Sequence, residues 1–471
     1  MGRAIASKNN TMANTLFDKL WDSHSVKQLS GGEHLIAIDR VFLHERTGSI
    51  ALKSIVENGR RPRAPQTVFC TMDHIVSNRA VRGRDEARTP GGDVFITATR
   101  EAAHETAINL IDILDPDQGI VHVISPELGI AQPGLTLVCP DSHTCSQGAL
   151  GALAWGIGST DAEHAIVTGT LRVTKPPQMR ITVNGQLKEG VTAKDLALHI
   201  IAKFGASGGK RCAVEYTGEA IRALPIEARL TLCNMAVEFA AFTAVIAPDE
   251  KTYNYLQGRQ YVPEGAMWER ALANWKTFKT DPYASFDYDY HINASEVKPT
   301  VTWGTSPEQA VSIDAGIPDG ASDKVLSYMN LTVGEPLKSL VLGGAFIGSC
   351  TNARLSDLRT AARILKGRKV AKGVTAICVP GSMAVRRAAE AEGLDAIFKQ
   401  AGFDWGTAGC ALCFYAGGDT FAPGTRVISS TNRNFEGRQG PGVRTHLASP
   451  AVVAASAVAG HICQPSDLGD M

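Results

Sequence analysis

No sign of charge predominates in this chain. Lys plus Arg and Asp plus Glu each number 47 among 471 residues, so the formal net charge is zero, and the basic footprint of an obligate nucleic-acid partner is missing. Aromatic residues are scarce at 6%, yet 44% of residues are apolar and 20% charged, the balance of a folded chain and not of a disordered one. Ten cysteines are too few for a secreted, disulfide-stapled scaffold. The amino terminus lacks the apolar core of a signal peptide, and Ala6 stands where myristoylation of Gly2 would want Ser or Thr. A cytoplasmic protein is expected, with Met12 available as an alternative start. Long apolar runs are absent too: residues 144–160 are dense in glycine and 447–466 are broken by Pro450 and serines, so no membrane span is expected.

Phosphate cradles also fail inspection. The run from Gly205 to Lys210 is one residue short of a P-loop and continues with Arg211 where Ser or Thr should ligate magnesium. Gly156-Ile157-Gly158 has Asp161 in place of the third glycine of a dinucleotide fingerprint. No nucleotide cofactor is indicated.

What the chain does contain is a recurrence of short β-branched runs followed by glycine turns and helical patterns, the signature of parallel α/β layers. Capping boxes are read at Thr160–Glu163 and Thr192–Asp195, the second helix stopping at Gly205, and a hairpin is read at Asn184-Gly185. Lys175-Pro176-Pro177 and the polar, aromatic stretch 253–290 mark boundaries, which predicts three α/β domains over 1–177, 178–298 and 299–471.

Polar constellations sit just past five of the predicted strands: Asp73-His74, His122, Asp141-Ser142-His143, Ser349–Asn352 and Thr431–Arg433. Open parallel sheets bind ligands at their carboxyl ends, so the five point to one shared cleft. Cys410-Ala411-Leu412-Cys413 alone leaves metal binding, thiol redox and a structural pair open. Cys350 adds a third thiol in a tight turn whose Asn352 is placed to cap a helix beginning near Leu355. Three thiolates in this one-plus-two arrangement fill three corners of a [4Fe–4S] cube and leave one iron free to act as a Lewis acid; the bland alternative for Cys350 is one more buried cysteine. The remaining cysteines are read as structural. Arg433 and Arg438 stand beside Asn432 and glycines, a pattern suited to clamping a small multi-carboxylate acid. Asp73-His74 and Asp141-Ser142-His143 pair carboxylates with imidazoles fit for proton transfer. Ser142 lacks the nucleophile elbow of a hydrolase.

Together these strings resemble the aconitase superfamily, and within it the family of isopropylmalate dehydratase large subunits, from about Leu16 to His461. The resemblance is carried by MDH at 72–74, QGIVHVISPELG at 118–129, DSHT at 141–144, TLCNMAVE at 231–238, FIGSCTN at 346–352, GC..C at 409–413 and TNRNFEGRQG at 431–440. It implies an aconitase-type α/β fold of three domains around a cleft, without the swivel domain. It also implies one [4Fe–4S] cluster per chain on Cys350, Cys410 and Cys413. Asp73, His74, His122, Asp141, His143 and Glu238 would then be catalytic, with His74 protonating the leaving hydroxyl. Asn234, Ser142, Asn432, Arg433 and Arg438 would bind substrate. The implied reaction is dehydration and rehydration of a 2-hydroxy dicarboxylic acid, by the resemblance 2-isopropylmalate to 3-isopropylmalate. The catalytic base would come from a small swivel-domain subunit, since no GSSRE-like string is present. Departures at Cys145-Ser146-Gln147, Lys210-Arg211 and Ala411-Leu412 leave room for a paralogue acting on 2-methylmalate and citraconate, on a homoaconitate-like acid or on another substituted malate. A regulatory protein that binds RNA or a cluster without catalysis is the alternative from another class.

Overall fold

The computed structural model describes residues 13–415 and 420–469, so Met12 and the other residues read for start and acylation signals lie outside the described residues. Three parallel sheets organise the chain. The first has strand order Asn109–Ile111, Val68–Thr71, Arg40–His44, Thr136–Cys139, Leu153–Gly156, with Phe42 beside Phe69 and Val41 beside Val138. Val68–Thr71 and Thr136–Cys139 are buried throughout and Arg40–His44 from Val41 onward, as central strands covered on both faces must be. The third sheet repeats the topology: Phe403–Trp405, Thr375–Cys378, Gly344–Ile347, Arg426–Ser429, Arg444–Leu447. In both, the strand order reverses at the first strand of the set. The connections leave its two sides in opposite directions and open a crevice at the carboxyl ends. The second sheet, Thr243–Val245, Ala213–Thr217, Gln178–Asn184 and Tyr288–Asn293, is also parallel.

The Ala193–Phe204 helix begins with the reciprocal Thr192–Asp195 capping box and ends at Gly205, whose φ of 79° suits glycine. Two other local expectations fail. Gly158, not Thr160, caps the Ser159–Thr168 helix. The Gln178–Asn184 strand pairs in parallel on both sides, so Asn184-Gly185 starts a crossover and not a hairpin. Parallel partners on both flanks override the turn signal there, although the strand buries only alternate residues.

One continuous apolar core lies under the first two sheets and includes Phe42, Phe69, Val138, Ile181 and Val214. The third sheet has its own core, to which Ile120 and Val123 contribute from the start of the Val121–Glu127 helix. That helix bridges the first and third sheets and holds the cleft walls in register. The Pro450–Ala459 helix is apolar nearly all round and is buried against the third sheet, which accounts for the long apolar stretch noted above. No helix among the described residues is long and apolar enough to cross a membrane.

The Ile226–Asn234 helix runs from the second sheet into the cleft. Its buried Arg229 bonds both oxygens of Asp249, at 3.0 and 2.6 Å, and the carbonyls of Leu224 and Arg222. Removing one partner of such a pair strands the other polar groups. Arg229→Met is therefore expected to lower stability by about 3 kcal/mol, measured as a fall in the urea midpoint; an unchanged midpoint would contradict this account of the helix anchor.

Candidate active site

The third sheet's central strand ends at Ile347 and turns through Gly348, Ser349 and Cys350. Ser349 holds φ 77° and Ala411, just after Cys410, holds φ 47°. Left-handed backbone is strained for both residue types and persists only where surroundings enforce it. Here Ser430 Oγ accepts from Gly348 N–H at 3.0 Å, and Asp73 O accepts from Cys410 N–H at 2.8 Å. Both thiol-bearing turns are thus pinned, one to the neighbouring strand end and the other to the first sheet. Cys350, Cys410 and Cys413 are all buried. Ser349 Oγ lies 4.0 Å from Cys350 Sγ and 3.6 Å from Cys413 Sγ. Donors converge on the sulfurs: Asn234 Nδ2 at 3.2 Å and Asn432 Nδ2 at 3.5 Å from Cys350, and Arg438 Nη2 at 3.6 Å from Cys413. The hydrogen bond from Cys410, aided by the Arg438 guanidinium and the Ser349 hydroxyl, holds Cys413 well below the usual thiol range. Burial and the neighbouring Cys413 push Cys350 up to about 12.

Facing the thiols across the cleft is a carboxylate–imidazole network from the carboxyl ends of the first sheet. His74 Nδ1 lies 2.5 Å from Asp73 Oδ1, and its Nε2 3.3 Å from Asp141 Oδ2. Asp141 also meets His122 Nε2 at 3.0 Å and accepts the His143 backbone N–H at 2.8 Å. Burial alone would lower the His74 pKa, but Asp73 and Asp141 outweigh it and hold the imidazole well above its ordinary range. For Asp141, burial is outweighed by His122, His143 and His74, which keep it well below the usual carboxylate range. Asp73 Oδ2 lies 3.9 Å from Cys410 Sγ, so network and thiols share one chamber.

The third group closes the chamber from the side. His143 Nε2 is 2.8 Å from Glu238 Oε1, and Arg433 Nε donates to the same carboxylate while its Nη2 donates to Ser142 Oγ at 2.9 Å. Asn234 Oδ1 accepts from Thr351 Oγ at 2.8 Å, which fixes the amide so that its nitrogen faces sulfur. All fourteen side chains read from the sequence as candidates meet in this one region. Two placements differ in detail. His122 lies in the first turn of the Val121–Glu127 helix and not past a strand. Asn352 does not cap the Leu355–Leu365 helix; Arg354 occupies that position, and Asn352 Nδ2 instead donates to Asp357 at 3.0 Å.

Several contributors escaped the sequence reading. His44 stacks on His74 with ring centroids 3.9 Å apart and is held at a pKa of about 4 by burial and the charge on His74. Glu45 accepts the backbone N–H groups of Asp73, His74 and Ile75, which fixes the turn carrying the acid pair. Those three bonds make Glu45 a hydrogen-bond hub, although its carboxylate and His44, Asp73 and His74 offer ligand atoms within 4.8 Å of one another. His44-Glu45 follow the apolar run Val41–Leu43 in the same manner as the five recognised strand ends, so the same pattern could have found them. Lys194 gave no such signal: it is buried in the first turn of its helix and donates to Ser430 O at 2.9 Å and to Thr431 O, just before Asn432 and Arg433.

The chain belongs to the aconitase family of hydro-lyases: the family profile, described as aconitate hydratase, matches residues 18–460. Family members generally bind a [4Fe–4S] cluster. Over 463 residues the chain is 47% identical to the 3-isopropylmalate dehydratase large subunit 1 of Bradyrhizobium diazoefficiens, covering 96% of each chain. Among solved structures, the holo-form of Thermococcus kodakaraensis aconitase X matches at 13% identity with a TM-score of 0.45, over 88% of this chain and 86% of that one.

Proposed function

We propose that this chain is the cluster-binding large subunit of a heteromeric dehydratase that interconverts 2-isopropylmalate and 3-isopropylmalate in leucine biosynthesis. The observation that carries the reading is the convergence of three buried thiols with the His74–Asp73–Asp141 network in one cleft. Near-full-length similarity to a chain named as an isopropylmalate dehydratase large subunit supports the substrate and a small-subunit partner. The donor set suits a [4Fe–4S] cluster held by Cys350, Cys410 and Cys413: amide, hydroxyl and guanidinium groups face the sulfurs, as hydrogen bonds that stabilise cluster thiolates should. When bound, such a cluster with one iron lacking a protein ligand supplies Lewis acidity toward a hydroxyl and a carboxylate oxygen.

The chain's own residues divide the rest of the work. His74, kept protonated by its two carboxylates, delivers a proton to the departing hydroxyl. Asp141 orders His74, His122 and His143 around itself, and Glu238 ties His143 to Arg433. Arg433, Arg438, Asn432, Asn234 and Ser142 receive the diacid's oxygens. The base that takes the carbon-bound proton is assigned to the small subunit. The three sheets serve as the basis for domains 1–177, 178–298 and 299–471, with the cysteines on the third.

The test is a hydration assay on a panel of 2-alkylmalates and their enoic acids, with cluster-loaded chain and a candidate small subunit. Activity is expected with the isopropyl acid and only when both chains are present. Turnover of methyl- or carboxyethyl-substituted malates alone would overturn the substrate, and full turnover by this chain alone would overturn the borrowed base. A cluster-loaded pair inactive on every acid, yet binding RNA, would favour the regulatory alternative.

A further inference from the structure

A dicarboxylic substrate needs two cationic receptors, and the arginines of the cleft are not equally available. Arg433 is partly engaged within the protein, through Nε to Glu238 and Nη2 to Ser142 Oγ, which leaves Nη1 for a substrate oxygen. The Arg438 side chain makes one hydrogen bond, to Cys413 Sγ at 3.6 Å; its buried Nε has no hydrogen-bond partner among the described residues, and its guanidinium carbon also lies 5.2 Å from the ring centre of Phe435. Its guanidinium carbon lies 5.5 Å from the ring centre of Phe414, the residue after Cys413. A third guanidinium stands on the same ring: that of Arg46, 4.9 Å away. Phe414 in turn lies 5.6 Å, centre to centre, from His74.

Arg46 is unusual in two respects. It occupies the first turn of the Glu45–Glu57 helix, where a cation opposes the helix dipole. It also makes no hydrogen bond or ion pair among the described residues, although it is bracketed by Glu45 and Thr47, which do. Stacking on an aromatic ring holds a guanidinium in place while leaving its in-plane N–H groups open to a carboxylate.

We infer that Arg46 is a substrate-binding residue that receives one carboxylate of the diacid at the mouth of the cleft, with Arg438 receiving the other and Phe414 holding both guanidiniums against the reacting carbons. The inference rests on the diacid reading above and extends it by a residue on the helix that also carries His44 and Glu45 at its start. Phe414, half-buried between them, orients both cations.

Calorimetric titration of the cluster-loaded, full-length chain with 2-isopropylmalate and with each of its two monoamides tests this. Wild type is expected to bind the diacid more tightly than either monoamide. Arg46→Gln is expected to weaken diacid binding about 10- to 100-fold, the loss of a charge-assisted pair, while leaving the affinity of one monoamide unchanged; Arg46→Lys should recover part of the loss. Absorption of the cluster should be the same in all three proteins. Unchanged diacid binding in Arg46→Gln overturns the inference, as does an equal loss for the diacid and both monoamides, which would mark a general field effect. Failure of wild type to bind any of the three overturns the functional reading itself, a result separable from failure at Arg46.

Discussion

Cys350→Ser is expected to yield a colourless chain. Anaerobically reconstituted wild type should be brown, with broad absorption near ~400 nm and about four irons, whereas Cys350→Ser, Cys410→Ser and Cys413→Ser should each lose both the colour and all dehydratase activity. The three positions are not equivalent in the fold: Cys350 lies in the turn after a strand of the third sheet, and the Cys410 turn is bonded to Asp73 of the first. A cluster held across both would stiffen the cleft as well as supply chemistry. The cluster-bearing protein should therefore resist proteolysis better than the cluster-free one. Cys378→Ala, at a thiol buried in a strand of the third sheet, is the control and should keep its colour. Retention of four irons by any of the three serine variants would remove the foundation of the proposed function.

The second large effect concerns His74. Loss of a general acid typically costs ~10²–10⁴-fold in rate, so His74→Asn should fall by that order while its visible absorption stays unchanged. The direction of the pH dependence follows from the charges around the ring. Because Asp73 and Asp141 hold His74 above its ordinary range, the acid form persists through neutrality, and the alkaline limb of kcat should lie above ~6.5, the unperturbed histidine value. Asp141→Asn removes one of the two carboxylates and should move that limb to lower pH. Stability follows the same sign. The imidazolium's contribution is complete below its unfolded pKa and is lost as pH rises through the raised folded value. That of Asp141, whose pKa is depressed, is present above its unfolded value and lost as pH falls through the folded one. The network should therefore be firmest between the two. An alkaline limb that stays put in Asp141→Asn would show that another group supplies the proton.

Strand-end chemistry was the most legible part of this protein. A parallel strand buried on both faces reads as an unbroken apolar run, and the polar residues after it have to emerge at the carboxyl edge, so Asp73, Asp141, Cys350 and Asn432 could be assigned to one side of a sheet by pattern alone. Local signals without that constraint were less dependable. Asn184-Gly185 has the composition of a tight turn, yet parallel pairing on both flanks prevents a hairpin. Thr160 has the spacing of a cap, but its helix starts earlier, at Gly158. His122 gave the right region and the wrong element.

Residue type and order along the chain were enough to specify the parallel α/β class, the carboxyl-edge placement of the reactive groups and the kinship with aconitases, because these depend on short-range periodicity and on side-chain chemistry. Which groups touch was decided only by folding. Two sheets of the same strand order had to face each other before Asp73 could approach Cys410 and before Arg438 and Arg46 could stand on one phenyl ring, and two strands of the first sheet had to pair before Glu45 could gather three backbone N–H groups from a turn 28 residues away. Such contacts join segments far apart in the chain, and the burial that brings them together is a property of the whole core, which no local stretch encodes.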